Sequence, residues 1–338
     1  MSNFRGVTLS YKNAPVTIRD KVALSENQIK AIYSKAKDLF TINELFIIST
    51  CNRTEVYYSA DISLGEELIK VLLLEKNITD FDLYLPYFTF INDHSAAVEH
   101  LFNVSIGLES QVVGDIQIIN QIKNAYQWCA DAQMAGPFLH RLLHTIFFCN
   151  KRVVQETQFR DGAASVSYAT IDMMEHLVLS PHLAKVLVVG LGEIGADLVD
   201  NLADSKFENI CIVNRTYAKA EELAHKHQIR CSPYENLWSE VDSADIIISS
   251  VSVVEPLITK EKLSQLDIVS HKFVFDLSMP RSVESDIEKI NGVLLYNIDN
   301  IQARATEALE IRLSSIPQVR AIISQAIHDF EVWEKEME

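Results

Sequence analysis

Cys51 sits between two short β-rich runs in "FIISTCNRTEVYYSA" (Phe46 to Ala60) and is followed at once by Asn52 and Arg53. A thiol at the end of a run, beside a cation, is in the setting that favours the nucleophilic thiolate. A structural cysteine belongs inside a run, where it packs as a small hydrophobe. A second group is "KVLVVGLGEIGADLVDNL", with Gly190, Gly192 and Gly195 in G-x-G-x-x-G spacing and Leu191, Glu193 and Ile194 between them. A strand precedes it and a helix follows, the context in which this spacing binds a dinucleotide. Gly190 permits the tight turn, Gly192 lets backbone approach a pyrophosphate, and Gly195 allows close packing of helix on strand. The helix N-terminus offers unpaired N–H groups to the anion. A turn that binds nothing is the bland alternative.

The next strand ends in "CIVNRTYAKAEELA", with Asn214, Arg215 and Thr216 where an NAD site would carry an acidic residue. Arg215 can pair with a 2′-phosphate and stack on adenine. NADP is therefore expected over NAD; otherwise Arg215 is a solvated surface cation. A third polar group lies in "SAAVEHLFNVSIGLESQVVGDIQIINQIKNAY". His100 stands on the edge of a helix face formed by Ala97, Leu101, Val104 and Leu108, where a boundary histidine is commonplace. Two glycines then bracket Glu109 and Ser110, and Gln117 and Gln121 follow one helical turn apart on a shared face. They suit a polar cleft or plain surface.

The elements that position these groups fall into two styles. Before about residue 150, strands and helices mix without simple alternation. "FRGVTLS", Leu45 to Ser49 and Glu55 to Tyr58 read as strands. In "LSENQIKAIYSKAKDLF", Ser25 and Gln28 form a capping box for a helix. Further helices are expected near Leu64 to Leu74, Ser95 to Leu108, Gln117 to Ala132 and in "GPFLHRLLHTIFFCNKRVVQET". "LYLPYFTF" reads as a strand broken by Pro86. From about residue 160, the runs "AKVLVVG", "NICIVN", "ADIIISS", "KFVFDLS" and "GVLLYN" alternate with helical segments. Short non-alternating β-branched runs are how strands buried on both faces of a parallel sheet read. They predict a doubly wound α/β domain. After Asp299 the chain is helical, with Pro317 expected to kink or break it.

The 338 residues, 48% of them hydrophobic, can bury the cores of two or three domains. A net charge of −16 excludes a general nucleic-acid sleeve, though not a local patch that docks one RNA. Cys51, Cys129, Cys149, Cys211 and Cys231 show no metal-type spacing and suit a reducing compartment. With no signal-peptide layout and no membrane-length apolar run, a cytoplasmic protein without membrane contact is expected.

Taken together, "STCNRTEVY", "HLFNVSIGLESQVVGDIQI" leading to "QIKNAY", "GLGEIG", "VNRTYAKAEELA" and "DLSMPRSV" followed by "LLYNIDNIQ" resemble the glutamyl-tRNA reductases, in the same order along the chain. The resemblance implies an α/β architecture of three parts. These are an N-terminal α+β catalytic domain over 1–158, a Rossmann-type NADP-binding domain over 159–298, and a C-terminal spinal helix with a remnant of a helical dimerisation domain over 299–338. It implies NADPH-dependent reduction of glutamyl-tRNA(Glu) to glutamate-1-semialdehyde, at the head of tetrapyrrole biosynthesis. Cys51 then matches the nucleophile that forms a thioester, and His100 an acid/base partner. Thr50, Asn52, Arg53, Ser110 and Gln121 match the segments that contact the glutamyl group, and Arg53 is expected to hold a carboxylate. Asp115, Ile116 and Gln117 stand where the family carries Glu-Pro-Gln, and "GLES" replaces "GLDS". The family's homodimer and docking of glutamate-1-semialdehyde aminotransferase are also implied. The short tail leaves a reduced dimer or a monomer open. Two other functions compete: a cysteine-thioester semialdehyde dehydrogenase fed by an acyl phosphate, and a non-catalytic NADP-binding regulator.

Overall fold

The computed structural model describes residues 3–50, 52–162 and 165–337, so expectations that fall on Cys51 lie outside the described residues. The chain divides into two compact units, one of 1–161 with 311–338, the other of 162–310.

The first unit is built on a sheet of β1 (Asn3–Ser10), β2 (Glu44–Ser49), β3 (Arg53–Ala60) and β4 (Thr89–Ile91) in the order β2-β3-β1-β4. β3 is antiparallel to both neighbours, with Ser49 opposite Thr54 and Thr8 opposite Glu55. Every residue of β3 is buried, because helices and neighbouring strands cover both faces. The capping box forms at Ser25 and Gln28 and opens the helix Glu26–Leu39. "LYLPYFTF" departs from expectation: a helical turn at Phe81–Tyr84 and a 3-10 turn at Leu85–Tyr87 precede β4. Proline at the start of such a turn loses no hydrogen bond, whereas within a ladder it would. The helices His94–Ile106, Gln117–Asp131 and Pro137–Glu156 complete the layer.

The second unit holds a parallel sheet of β5 (Lys185–Val189), β6 (Asn209–Val213), β7 (Arg230–Ser232), β8 (Ile246–Ser249), β9 (Lys272–Asp276) and β10 (Val293–Asn297), ordered β10-β9-β8-β5-β6-β7. The five apolar runs supply five of these strands; β7, a three-residue edge, was not anticipated. The chain reverses its direction of travel across the sheet between β5 and β8, which is where such sheets open a ligand crevice beyond their strand ends.

The expected tail is one continuous helix, Ile298–Met337, with Pro317 inside it. Its early residues Ile301 and Ala305 pack in the second unit's core, and Val319, Ile322, Ile323, Ala326 and Phe330 in the first unit's. Packing along its length overrides the break that proline alone would favour. Among the described residues, no helix is long and apolar enough to cross a membrane.

Candidate functional site

β3 carries a polar face inside an apolar unit. Arg53, Glu55 and Tyr57 alternate along the strand and so point to one side. Arg53 is 3% and Glu55 0% exposed, and Arg53 Nη1 lies 2.7 Å from Glu55 Oε1. Tyr57 donates its phenol to Glu55 Oε2 at 2.6 Å. His100, on the helix His94–Ile106, brings Nε2 to 3.6 Å from Glu55 Oε1, just beyond hydrogen-bond reach. That nitrogen is buried without a hydrogen-bond partner. Burial alone would raise the Glu55 carboxyl, but the Arg53 charge, His100 and the Tyr57 phenol outweigh it and bring it down to about 2. The carboxylate is thus a fixed anion beside the histidine. In return, burial and the Glu55 charge push the Tyr57 phenol well above its ordinary range.

Of the sequence-expected residues, Thr50, Asn52 and the Ser110 backbone adjoin this array through hydrogen bonds. Thr50 donates its N–H to Arg53 O at 2.8 Å and accepts from Asn52 N–H on its hydroxyl at 3.2 Å. Asn52 accepts from Arg19 Nη1 at 2.7 Å on its side chain and from Tyr11 N–H at 2.9 Å on its carbonyl. Tyr11 also donates its phenol to Ser110 O at 3.3 Å. Arg53 Nη2 donates to Glu109 O. Both terminal nitrogens of Arg53 are therefore engaged, and it reaches a substrate carboxylate only by giving up a partner. Asp115 Oδ1 accepts from Gln117 N–H at 2.9 Å and so starts the helix Gln117–Asp131. Ile116 is 54% exposed; Gln117 and Gln121 are half-buried, one turn apart. Glu55, Tyr57, Tyr11 and Arg19 were missed. The first two had a signal, since in "RTEVYYSA" Glu55 and Tyr57 follow Arg53 at strand period on one face.

In the second unit, a cleft of about 240 Å³ lies at the reversal point, lined by Gly190, Leu191 and Gly192, by Asn214, Arg215, Thr216 and Lys219, and by Ser250 to Val253. Gly190 adopts φ +91°, and a Cβ there would sit 2.3 Å from Ser250 O. A Cβ on Gly195 would meet Gly190 O at 2.3 Å, so its role is the close packing of helix on strand. Gly192 faces open space, the nearest atom to a Cβ being Ser250 O at 3.8 Å, and it caps the helix Glu193–Leu202. Room at this backbone, in front of a helix N-terminus, fits a pyrophosphate. Glu193 is exposed and Ile194 packs on the core, and neither lines the cleft. Asn214 accepts from Leu191 N–H at 3.2 Å and donates to Thr216 O at 2.9 Å, tying the glycine turn to the end of β6. Arg215, Thr216 and Lys219 are exposed cation and hydroxyl groups, and no carboxylate lines the cleft among the described residues. The donor set fits a 2′-phosphate. Lys219 was missed, although it falls one helical turn after Arg215.

Beneath the cleft, Asp276 is 1% exposed and accepts from the N–H groups of Ser278, Ser282 and Val283 and from the Ser282 hydroxyl. Ser278 in turn accepts from Val251 N–H at 3.0 Å, which fixes the cleft's far wall.

A parallel sheet in this order, with a glycine-lined crevice at its reversal point, is a Rossmann-type dinucleotide-binding fold. The model of the glutamyl-tRNAGlu reductase N-terminal domain matches residues 7–157, and that of shikimate/quinate 5-dehydrogenase matches 173–304. The glutamyl-tRNA reductase of Cytophaga hutchinsonii is 53% identical over 100% of this chain and 80% of its own length. That of Pelodictyon phaeoclathratiforme is 32% identical over 98% and 79%. The solved glutamyl-tRNA reductase of Methanopyrus kandleri superposes with a TM-score of 0.72 at 28% identity, over 100% of this chain and 82% of that one. The chain belongs to the glutamyl-tRNA reductase family.

Proposed function

We propose that this chain reduces glutamyl-tRNA(Glu) to glutamate-1-semialdehyde with NADPH and releases the tRNA, the first step of tetrapyrrole biosynthesis. The observation that carries the reading is the buried Arg53–Glu55–Tyr57–His100 array, beside the Thr50–Arg53 segment, in a chain of this family. The Cys51 thiolate adds to the ester carbonyl, a C–S bond forms, the C–O bond to the terminal ribose breaks, and the ribose oxygen takes a proton. His100, whose Nε2 lies 3.6 Å from Glu55 Oε1, is the candidate to pass that proton on. Thr50, Asn52, Arg53, Ser110, Asp115, Ile116, Gln117 and Gln121 are the candidate contacts to the glutamyl group.

When bound, NADPH supplies the hydride that turns a thioester into an aldehyde and frees the thiolate. Gly190, Gly192 and the following helix N-terminus would hold its pyrophosphate, and Arg215, Thr216 and Lys219 its 2′-phosphate. The reading puts the reaction in the cytoplasm, with its tRNA pool. The product is a reactive aldehyde, which favours hand-over to an aminotransferase.

The test omits the reductant. tRNA charged with radiolabelled glutamate is mixed with the protein and run on a non-reducing denaturing gel. The label is expected on the wild-type band and not on Cys51→Ser, and an NADPH chase should release it as the semialdehyde. An NADPH-binding protein that takes no label would sink the reading. Reduction of an acyl phosphate without tRNA would favour the dehydrogenase alternative.

A further inference from the structure

The loop from Gly107 to Ile116 carries Ser110 and Asp115 and lies outside regular secondary structure. Its ends close on each other, Gly114 donating its N–H to Gly107 O at 3.1 Å. A chain reversal of this kind leaves carbonyls that need partners, and two arginines supply them from outside the loop. Arg160 donates to Asp115 O at 2.5 Å and to Gly114 O at 3.5 Å through Nη1, and to Ile106 O at 2.9 Å and Asn150 Oδ1 at 2.7 Å through Nη2. Arg312, on the long C-terminal helix, donates through Nη1 to Val113 O at 3.1 Å and Gly114 O at 3.2 Å. Its Nε reaches Asp161 O at 3.0 Å. Gly114 O thus accepts from both guanidiniums. Gly114 itself has φ +75°, and a Cβ there would lie 2.3 Å from Phe159 O and 3.3 Å from Arg312 Cδ, so the loop is seated against Phe159 and Arg312 without slack.

Filling this position with cations is costly. Arg312 is 8% exposed, and burial pulls the Arg160 guanidinium down to about 10. Arg160 Nε is buried with no hydrogen-bond partner. A loop needed only to connect two helices would be held more cheaply by neutral donors, because desolvating a charge costs more than desolvating an amide. What the arginines add is rigidity, since each planar fork fixes two carbonyls at once. They fix them at Val113, Gly114 and Asp115, immediately before the helix that bears Gln117.

We propose that Arg160 and Arg312 are positioning residues that hold the Gly107–Ile116 loop in its substrate-receiving form, without touching the substrate. The proposal rests on the reading above, in which Ser110, Asp115 and Gln117 contact the glutamyl group. A pin behind a binding loop acts on substrate capture more than on the later steps.

The test is steady-state and single-turnover kinetics of Arg312→Ala, Arg160→Ala, the double variant and Arg312→Lys. NADPH binding is measured alongside as a control on the second unit. Each alanine variant should raise KM for glutamyl-tRNA roughly ten-fold or more, about 1.4 kcal/mol or more. The single-turnover rate at saturating substrate and the NADPH affinity should stay near wild type. Arg312→Lys should recover part of the loss, and the double variant should lose less than the product of the singles, because both arginines serve Gly114 O. Where an alanine variant fails to fold, Arg312→Lys and Arg160→Lys read the same split. Folded variants that lose only thermal stability, with KM unchanged, would overturn the proposal while leaving the reductase reading intact. A wild type that does not reduce glutamyl-tRNA removes that reading and the proposal with it.

Discussion

Replacing Glu55 by Gln removes one charge from a buried pair and leaves the volume almost unchanged. The carboxyl is held near 2 against an ordinary 4.5, by Arg53, His100 and Tyr57 acting against burial. At about 1.4 kcal/mol for each pKa unit, the ionised carboxylate contributes on the order of 3 kcal/mol. Breaking a buried ion pair by removing one partner costs a similar ~3–5 kcal/mol, because the other charge stays behind. A fall of that size should lower the melting temperature of the first unit by roughly 6–12 °C.

The sign with pH follows from the direction of the shift. A carboxyl with a depressed folded pKa contributes its full stability above the unfolded value, and loses it as pH falls toward the folded value. The difference between wild type and Glu55→Gln should therefore be flat from neutrality down to about pH 5 and shrink between there and about pH 2. Urea unfolding followed by fluorescence at several pH values, with NADPH binding as a control on the second unit, measures it. Neutralising both partners, with Arg53→Gln added, should restore part of the stability, since no buried charge is then left alone. A Glu55→Gln protein as stable as wild type at pH 7, or a difference that persists unchanged toward pH 2, would refute the claim that a fixed anion organises β3.

Arg215→Ala should weaken NADPH binding roughly ten-fold or more and NADH binding by much less, since NADH has no 2′-phosphate to lose and gives up only stacking on adenine; fluorescence titration with both reads the ratio. Gly192→Ala and Gly195→Ala separate ligand room from packing. The first should fold with a normal melting curve yet bind NADPH weakly, because its Cβ enters open space in front of the helix. The second should destabilise the second unit, because its Cβ would meet Gly190 O at 2.3 Å. On the proposed function, in which His100 passes on a proton, His100→Asn should slow transfer of the glutamyl label to the protein by roughly a hundred-fold or more, without changing NADPH affinity.

The parallel sheet was legible because burial on both faces writes itself as unbroken β-branched runs, "LVV", "CIV" and "IIIS". β7 was not, since a three-residue edge strand with half-buried Cys231 carries no such run. The glycine turn was legible because each of its positions obeys a local steric demand. Arg53 was legible as important but not in its engagement, because its partner Glu55 lies two residues on and reads as an ordinary strand residue until alternation is counted. Arg160 and Arg312 were illegible for another reason. Arg312 meets Val113 from a separation of 199 positions, and no local pattern marks such a contact.

The first unit is interrupted in sequence: residues 162–310 separate its first 161 residues from the helical segment that fills its core with Val319, Ile322, Ile323, Ala326 and Phe330. During synthesis at about 5–20 residues per second, the leading part waits roughly 10–30 s for that segment. Through that interval the inserted unit is made and can complete its own sheet, while its host keeps an open apolar groove. The nascent host, rather than the inserted unit, is then the species that needs a chaperone's cover, and destabilising changes within 1–161 should cost soluble yield more than equal changes within 162–310.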